Sequence, residues 1–213
     1  MKQRPAFPYV LPFAIYLAFL TVEWLWREGV YFLYPVKTVA VTVALLCGWR
    51  FYGDMVKPRL SLLAALVGVV VLIIWVSPLS EVTMGGKPKG FNPFRFDNDA
   101  LVYFLIFFRL FGASVVVPFM EEIFWRGFLI RWIINPDDFE KVPIGQFTWT
   151  SFAVTTVLFG VEHHQWLVGI IAGAIYNGLL YRTKAVFPCI LAHAVTNLGL
   201  GIYVLCTQKW YFW

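Results

Sequence analysis

Three short stretches place polar side chains where the surrounding sequence is built for lipid. The first is Met120-Glu121-Glu122-Ile123-Phe124-Trp125-Arg126. A charged side chain at the bilayer centre costs roughly 2.5–3.5 kcal/mol on insertion scales, so these three must pair, face a wet cavity, or do both. Glu122 and Arg126 stand four residues apart on one helix face, in the order that favours an ion pair. Glu121 is rotated by about 100° from its neighbour, which leaves it to face elsewhere. The second stretch, Phe159-Gly160-Val161-Glu162-His163-His164, closes an apolar run. The third, His193 and Asn197, puts an imidazole and a carboxamide on one face of another helix.

Brought together, these residues supply what peptide hydrolysis requires. Water must lose a proton, the tetrahedral oxyanion must receive hydrogen bonds, and the leaving amine must gain a proton. No serine or cysteine sits beside a base in a nucleophile motif, so direct attack by water is the economical mechanism. Other readings stay open. Glu121, Glu122, His163 and His193 include acceptable zinc ligands. However, HExxH is absent and adjacent helical carboxylates point in different directions, so no cofactor is expected and zinc is the alternative. Buried His and Asn can also simply hold helices together, as in a non-catalytic immunity or assembly factor. A transport path lacks its usual paired broken helices or inverted repeat.

The elements that position these residues must be membrane helices. Of 213 residues, 60% are hydrophobic and 14% charged, with a mean hydropathy of +0.72. That is too much apolar surface for a soluble domain of this size, and it indicates a polytopic membrane protein. The net charge of +5 comes without a basic tract, which suggests anionic lipid headgroups rather than nucleic acid as partner. Cys47, Cys189 and Cys206 have no CxxC spacing and read as small buried hydrophobes. The N-terminal apolar run lacks a small-residue cleavage site and reads as a retained first span.

Hydropathy predicts spans at about 8–26, 34–50, 60–77, 100–118, 148–162, 166–181 and 187–206, with a short motif helix at about 119–134. Pro118 is expected to end or kink the helix before the Glu pair. Glu23 should reach the interface, and Arg109, in mid-span, should pair with a carboxylate or snorkel. Ser77–Asp99 is the longest polar loop, a linker or a cap over the site. Gly169 and Gly173 form a GxxxG that permits close helix approach. Trp210-Tyr211-Phe212-Trp213 reads as an interface anchor. The expectation is one all-α domain over 1–213, about eight helices around a polar intramembrane cavity, with one or two of them half-length. Its catalytic core is about 100–206. Eight crossings would put both termini on one side, and the Lys and Arg distribution leans weakly towards termini outside.

Glu121-Glu122-x-x-x-Arg126, Phe159-x-x-x-His163 and His193-x-x-x-Asn197, in that order, resemble the three motifs of the CAAX prenyl protease and bacteriocin-processing (ABI, CPBP) family of intramembrane proteases. The resemblance covers about residues 100–206. It implies a helical membrane fold with a cavity open to one side. Glu121 and His163 would hold and activate water, His193 and Asn197 would stabilise the oxyanion, and Glu122 with Arg126 would brace the motif helix. The compact size, the Trp-rich loops and the Ala192-His193-Ala194-Val195-Thr196-Asn197 context are similar to CAAX-protease-related proteins found beside exosortase systems in Gram-negative bacteria. The implied substrate is a membrane protein or peptide in the bacterial inner membrane, cut near its C-terminus. The phenylalanine spacing favours His163 over His164, which is left an interfacial, supporting or ligating role.

Overall fold

Where a bilayer offers no water, each backbone N–H and C=O must be satisfied within its own segment, so the apolar runs become helices. The computed structural model describes residues 6–83 and 90–213, and they contain helices and no strand. The helices are α1 (Phe7–Leu25), α2 (Val30–Tyr52), α3 (Leu62–Trp75), the short α4 (Pro78–Thr83), a long rod α5 (Asp99–Ile134), α6 (Trp149–Val161), α7 (Trp166–Thr183) and α8 (Phe187–Thr207). Local chemistry sets their ends. Ser61, Asn98 and Thr148 accept hydrogen bonds from the backbone N–H of Ala64, Leu101 and Ser151, capping α3, α5 and α6. Lys184 and Gln208 adopt left-handed φ values of 52° and 55° and close α7 and α8.

Four helices, α1, α2 (with its leading turn), α5 and α8, are long and apolar enough to cross a membrane. At 14 and 13 residues, α3 and α6 are shorter. At 1.5 Å per residue they reach only about 20 Å of a ~30 Å hydrocarbon core. In the uninterrupted run expected at 60–77, the helix itself is confined to Leu62–Trp75. Exposed Trp24, Trp26, Trp49, Trp149 and Trp166 cluster at helix ends, where indole favours the headgroup layer.

The largest departure from expectation is α5. Pro118 neither ends nor separates a helix, and residues 99–134 form one rod. A proline ring clashes with the carbonyl four residues earlier, here Ser114. That residue lies in a π-helical turn, Gly112–Val116, which widens the ladder where the clash would fall. A second π-helical stretch, Ile123–Leu129, follows the Glu pair directly.

Merging two expected spans removes one crossing, so the described chain ends on the side opposite its start. At one end of the bundle the Tyr9 hydroxyl donates to the Phe51 carbonyl (2.9 Å) and to Glu140 (3.3 Å), and Lys184 donates to the Gly145 carbonyl (2.6 Å). At the other, Arg95 pairs with Glu28 (2.7 Å), Tyr211 donates to Glu81 (2.8 Å), and the Phe91 N–H donates to the Trp213 carbonyl (3.2 Å). These last contacts also change two loop readings. Residues 90–98 pack down through buried Phe91 and Pro93 and are no plain linker. The Trp210–Trp213 tail folds back over the bundle, with Phe212 buried. Lys2, Arg4, Gly85, Gly86 and Pro88 lie outside the described residues.

Close helix approach follows from small residues. A Cβ on Gly169 would stand 3.0 Å from the Gly160 Cα, so the GxxxG face brings α7 directly onto α6. Polar hydrogen bonds add to the packing. The single Thr196 hydroxyl proton is shared between the Gly68 (2.8 Å) and Ala192 (3.0 Å) carbonyls, so the Tyr176 hydroxyl donates to Thr196 (2.8 Å), joining α3, α7 and α8. Of the cysteines only Cys189 is buried. Cys47 and Cys206 are exposed, because the apolar faces that carry them have no protein neighbour.

Candidate active site

The motif helix presents its two carboxylates to different surroundings, as their 100° offset requires. Glu122, fully buried, accepts from Arg126 (3.2 Å) and His193 Nδ1 (3.0 Å) at one oxygen, Oε1. Arg126, 1% exposed, has its charge distributed further. Its Nε donates to Asn177 Oδ1 (3.1 Å), a terminal nitrogen donates to the Gly173 carbonyl (3.3 Å), and the guanidinium lies over the Phe159 ring at 4.4 Å. Asn177 in turn donates to the Thr155 and Thr156 hydroxyls, both at 3.0 Å. The pair thus ties α5, α6, α7 and α8 into one buried network.

Glu121 faces the opposite way, into a cavity of about 370 Å³ that His163, His193 and Asn197 also line, with Phe159 and His164 at its wall. All four residues expected to carry catalysis therefore meet in one space, and the two expected to brace it stand behind. Glu121 Oε2 is buried without a hydrogen-bond partner among the described residues. His163 Nδ1 lies 2.7 Å from the Phe159 carbonyl. A carbonyl only accepts, so Nδ1 carries the proton and the neutral ring leaves Nε2 as an acceptor. Trp75 and Phe159 hold this ring at centroid distances of 5.2 and 5.1 Å.

His193 is oriented by Glu122 on one edge and by Tyr176, stacked at 5.4 Å, on its face. Asn197 spends one amide proton on the Ala113 carbonyl (2.8 Å), inside the π-helical turn of α5. Its second amide proton is left for the cavity.

The residues that sequence reading passed over are informative. Glu162 joins Glu121 and His163, and ligand atoms of the three lie within 4.8 Å of one another. Two carboxylates and an imidazole make an acceptable zinc donor set, and they are the group of this kind found among the described residues. The signal was visible, since Glu162 adjoins His163. Asn177 is a carboxamide on an apolar span, four residues after Gly173. Lys37 went unnoticed inside α2. It is 2% exposed and pairs with Glu23 at 2.9 Å, so Glu23, near the end of α1, serves as its counter-ion. Arg109 pairs with no carboxylate among the described residues. It lines the cavity above the motif, packed on Tyr34 at 4.3 Å.

Among known proteins, residues 103–199 match the family model described as type II CAAX prenyl endopeptidase Rce1-like. That stretch holds all three motifs and falls inside the 100–206 resemblance. No curated protein and no solved structure matches the chain. The match, with the apolar helices, supports an intramembrane protease of the CAAX type and a membrane-associated substrate in general terms.

Proposed function

We propose that this chain, similar to the CAAX prenyl endopeptidases over residues 103–199, is a glutamate-dependent intramembrane endopeptidase. The observation that carries the reading is the approach of Glu121 and His163, with Glu162 beside them, at the wall of one cavity. A water among them gives its proton to Glu121 while His163 Nε2 fixes its orientation. Attack on the scissile carbonyl places negative charge on oxygen, and His193 Nε2 and the second amide proton of Asn197 are the donors that receive it. His193 can donate from Nε2 when its ring carries both protons, with Glu122 as the counter-ion. The proton held by Glu121 then passes to the leaving amine. Cys189 is buried, with its sulfur 3.5 Å from the Tyr176 carbonyl, and does not line this cavity, which favours water over a thiol nucleophile.

The substrate on this reading is a membrane-associated or lipid-modified protein cut near its C-terminus, in the bacterial inner membrane. A bacterial membrane favours a sorting-signal or peptide substrate over a prenylated one. The experiment compares cells carrying the wild type and Glu121→Gln at equal expression, by mass spectrometry of N- and C-terminal peptides. Glutamine keeps the shape and removes the base. Discrete termini should vanish in Glu121→Gln and in His163→Ala and persist in His164→Ala. Unchanged termini with a phenotype still seen on deletion would favour a non-catalytic assembly or immunity factor.

The Glu121, Glu162 and His163 group also favours a second reading, a zinc-dependent hydrolase. Cleavage that survives chelation by 1,10-phenanthroline supports the metal-free reading. Loss on chelation, with recovery on added zinc, replaces it.

A further inference from the structure

Arg109 is a cation in an apolar span, and the hydrolytic mechanism does not use it. In an unbroken α-helix Arg109 and Glu121, twelve residues apart, would point about 120° apart. The π-helical turn at Gly112–Val116 takes up about one extra residue. The remaining eleven make close to three turns, and both side chains line the same cavity. The guanidinium is held among aromatic rings, with Tyr34 at 4.3 Å, Phe91 at 5.3 Å and Trp213 at 5.9 Å. It forms no ion pair among the described residues. Its Nε has no hydrogen-bond partner there. Glu23, which could have neutralised it, is committed to Lys37 at 2.9 Å.

A charged group kept among rings without a counter-ion is costly unless something anionic arrives. From this juxtaposition we propose that Arg109 is a specificity-determining residue that binds a carboxylate at the end of the substrate chain. The guanidinium fork matches a carboxylate with two parallel hydrogen bonds. The role in substrate specificity rests on the hydrolase proposed above, whereas the anion site does not.

The test uses the full chain in nanodiscs of phosphatidylcholine and two pools of N-acetylated octapeptides built from Ala, Val, Leu, Phe and Ser. One pool ends in a carboxylate and the other in an amide. Peptide retained on the nanodisc reads the anion site, and new peptide ends read hydrolysis. The wild type should retain the acid pool about ten-fold over the amide pool, the size expected of one charge-assisted contact. Arg109→Gln should abolish the preference, Arg109→Lys should keep part of it, and Glu121→Gln should keep all of it while producing no new ends.

Equal retention of both pools by the wild type overturns the carboxylate site, whether or not new ends appear. Preference for the acid pool with no new ends sinks the hydrolase and leaves the site standing. If adding phosphatidylglycerol to the nanodisc erases the preference, the occupant is a lipid phosphate and the substrate role is overturned. Arg109→Lys, which keeps the charge, guards against a fold defect in Arg109→Gln.

Discussion

Glu121 and Glu122 are the same residue type side by side, yet packing separates their roles. Glu122 Oε1 gathers Arg126 and His193, while Glu121 keeps an oxygen without a partner beside His163. Removing one member of a buried ion pair leaves the other uncompensated and costs about 3–5 kcal/mol. Arg126→Met should therefore lower stability by that order, read as a fall in the thermal unfolding midpoint in detergent. Glu121→Gln, which breaks no pair, should leave the midpoint within a degree or two of wild type while removing cleavage. An equal fall for both would mean that Glu121 is also structural.

At the level of helices, the site depends on two departures from regular geometry. The π-helical turn before Pro118 lets α5 continue and also offers the Ala113 carbonyl to Asn197. The Gly160–Gly169 approach fixes α6 on α7 and so sets the turn that carries Glu162 and His163. Side chains inserted into a packed interface typically cost about 1–3 kcal/mol. Gly160→Val should fall in that range and displace His163, with cleavage lost while a folded protein is still recovered from detergent. Gly178, whose Cβ would meet nothing within 4 Å, is the control, and Gly178→Ala should neither lower stability nor change cleavage. Equal effects at the two positions would refute the close-approach argument.

Across the whole molecule, a continuous α5 makes the number of crossings odd. Arg50, Lys57, Arg59, Arg131, Lys141, Arg182 and Lys184 lie towards one end, against Arg27, Arg95 and Lys209 at the other among the described residues. The positive-inside rule puts the first group in the cytoplasm. The cavity-lining residues His164 and Tyr211 then lie towards the opposite side. A single cysteine at Asp54, in a chain cleared of its native cysteines, should react with an impermeant maleimide only after permeabilisation. One at Lys209 should react in intact cells. Reaction at both sites in intact cells would overturn the odd number of crossings, and the reverse pattern would overturn the orientation.

The sequence alone determined that the chain is helical and membrane-embedded. It also singled out three polar stretches as the candidate site, because hydropathy and the cost of buried charge are local properties. The i,i+4 spacings told Glu122 and Arg126 from Glu121 and paired His193 with Asn197. Only the tertiary structure decided what those faces meet. Helical periodicity assumes a constant phase, and the π-helical turn at Gly112–Val116 resets it. That reset hid the continuity of α5 through Pro118 and the alignment of Arg109 with Glu121. The pairing of Lys37 with Glu23, the entry of Glu162 into the site and the folding back of the Trp213 tail are long-range contacts fixed by helix packing. Apart from the adjacency of Glu162 to His163, no spacing along the chain encodes them.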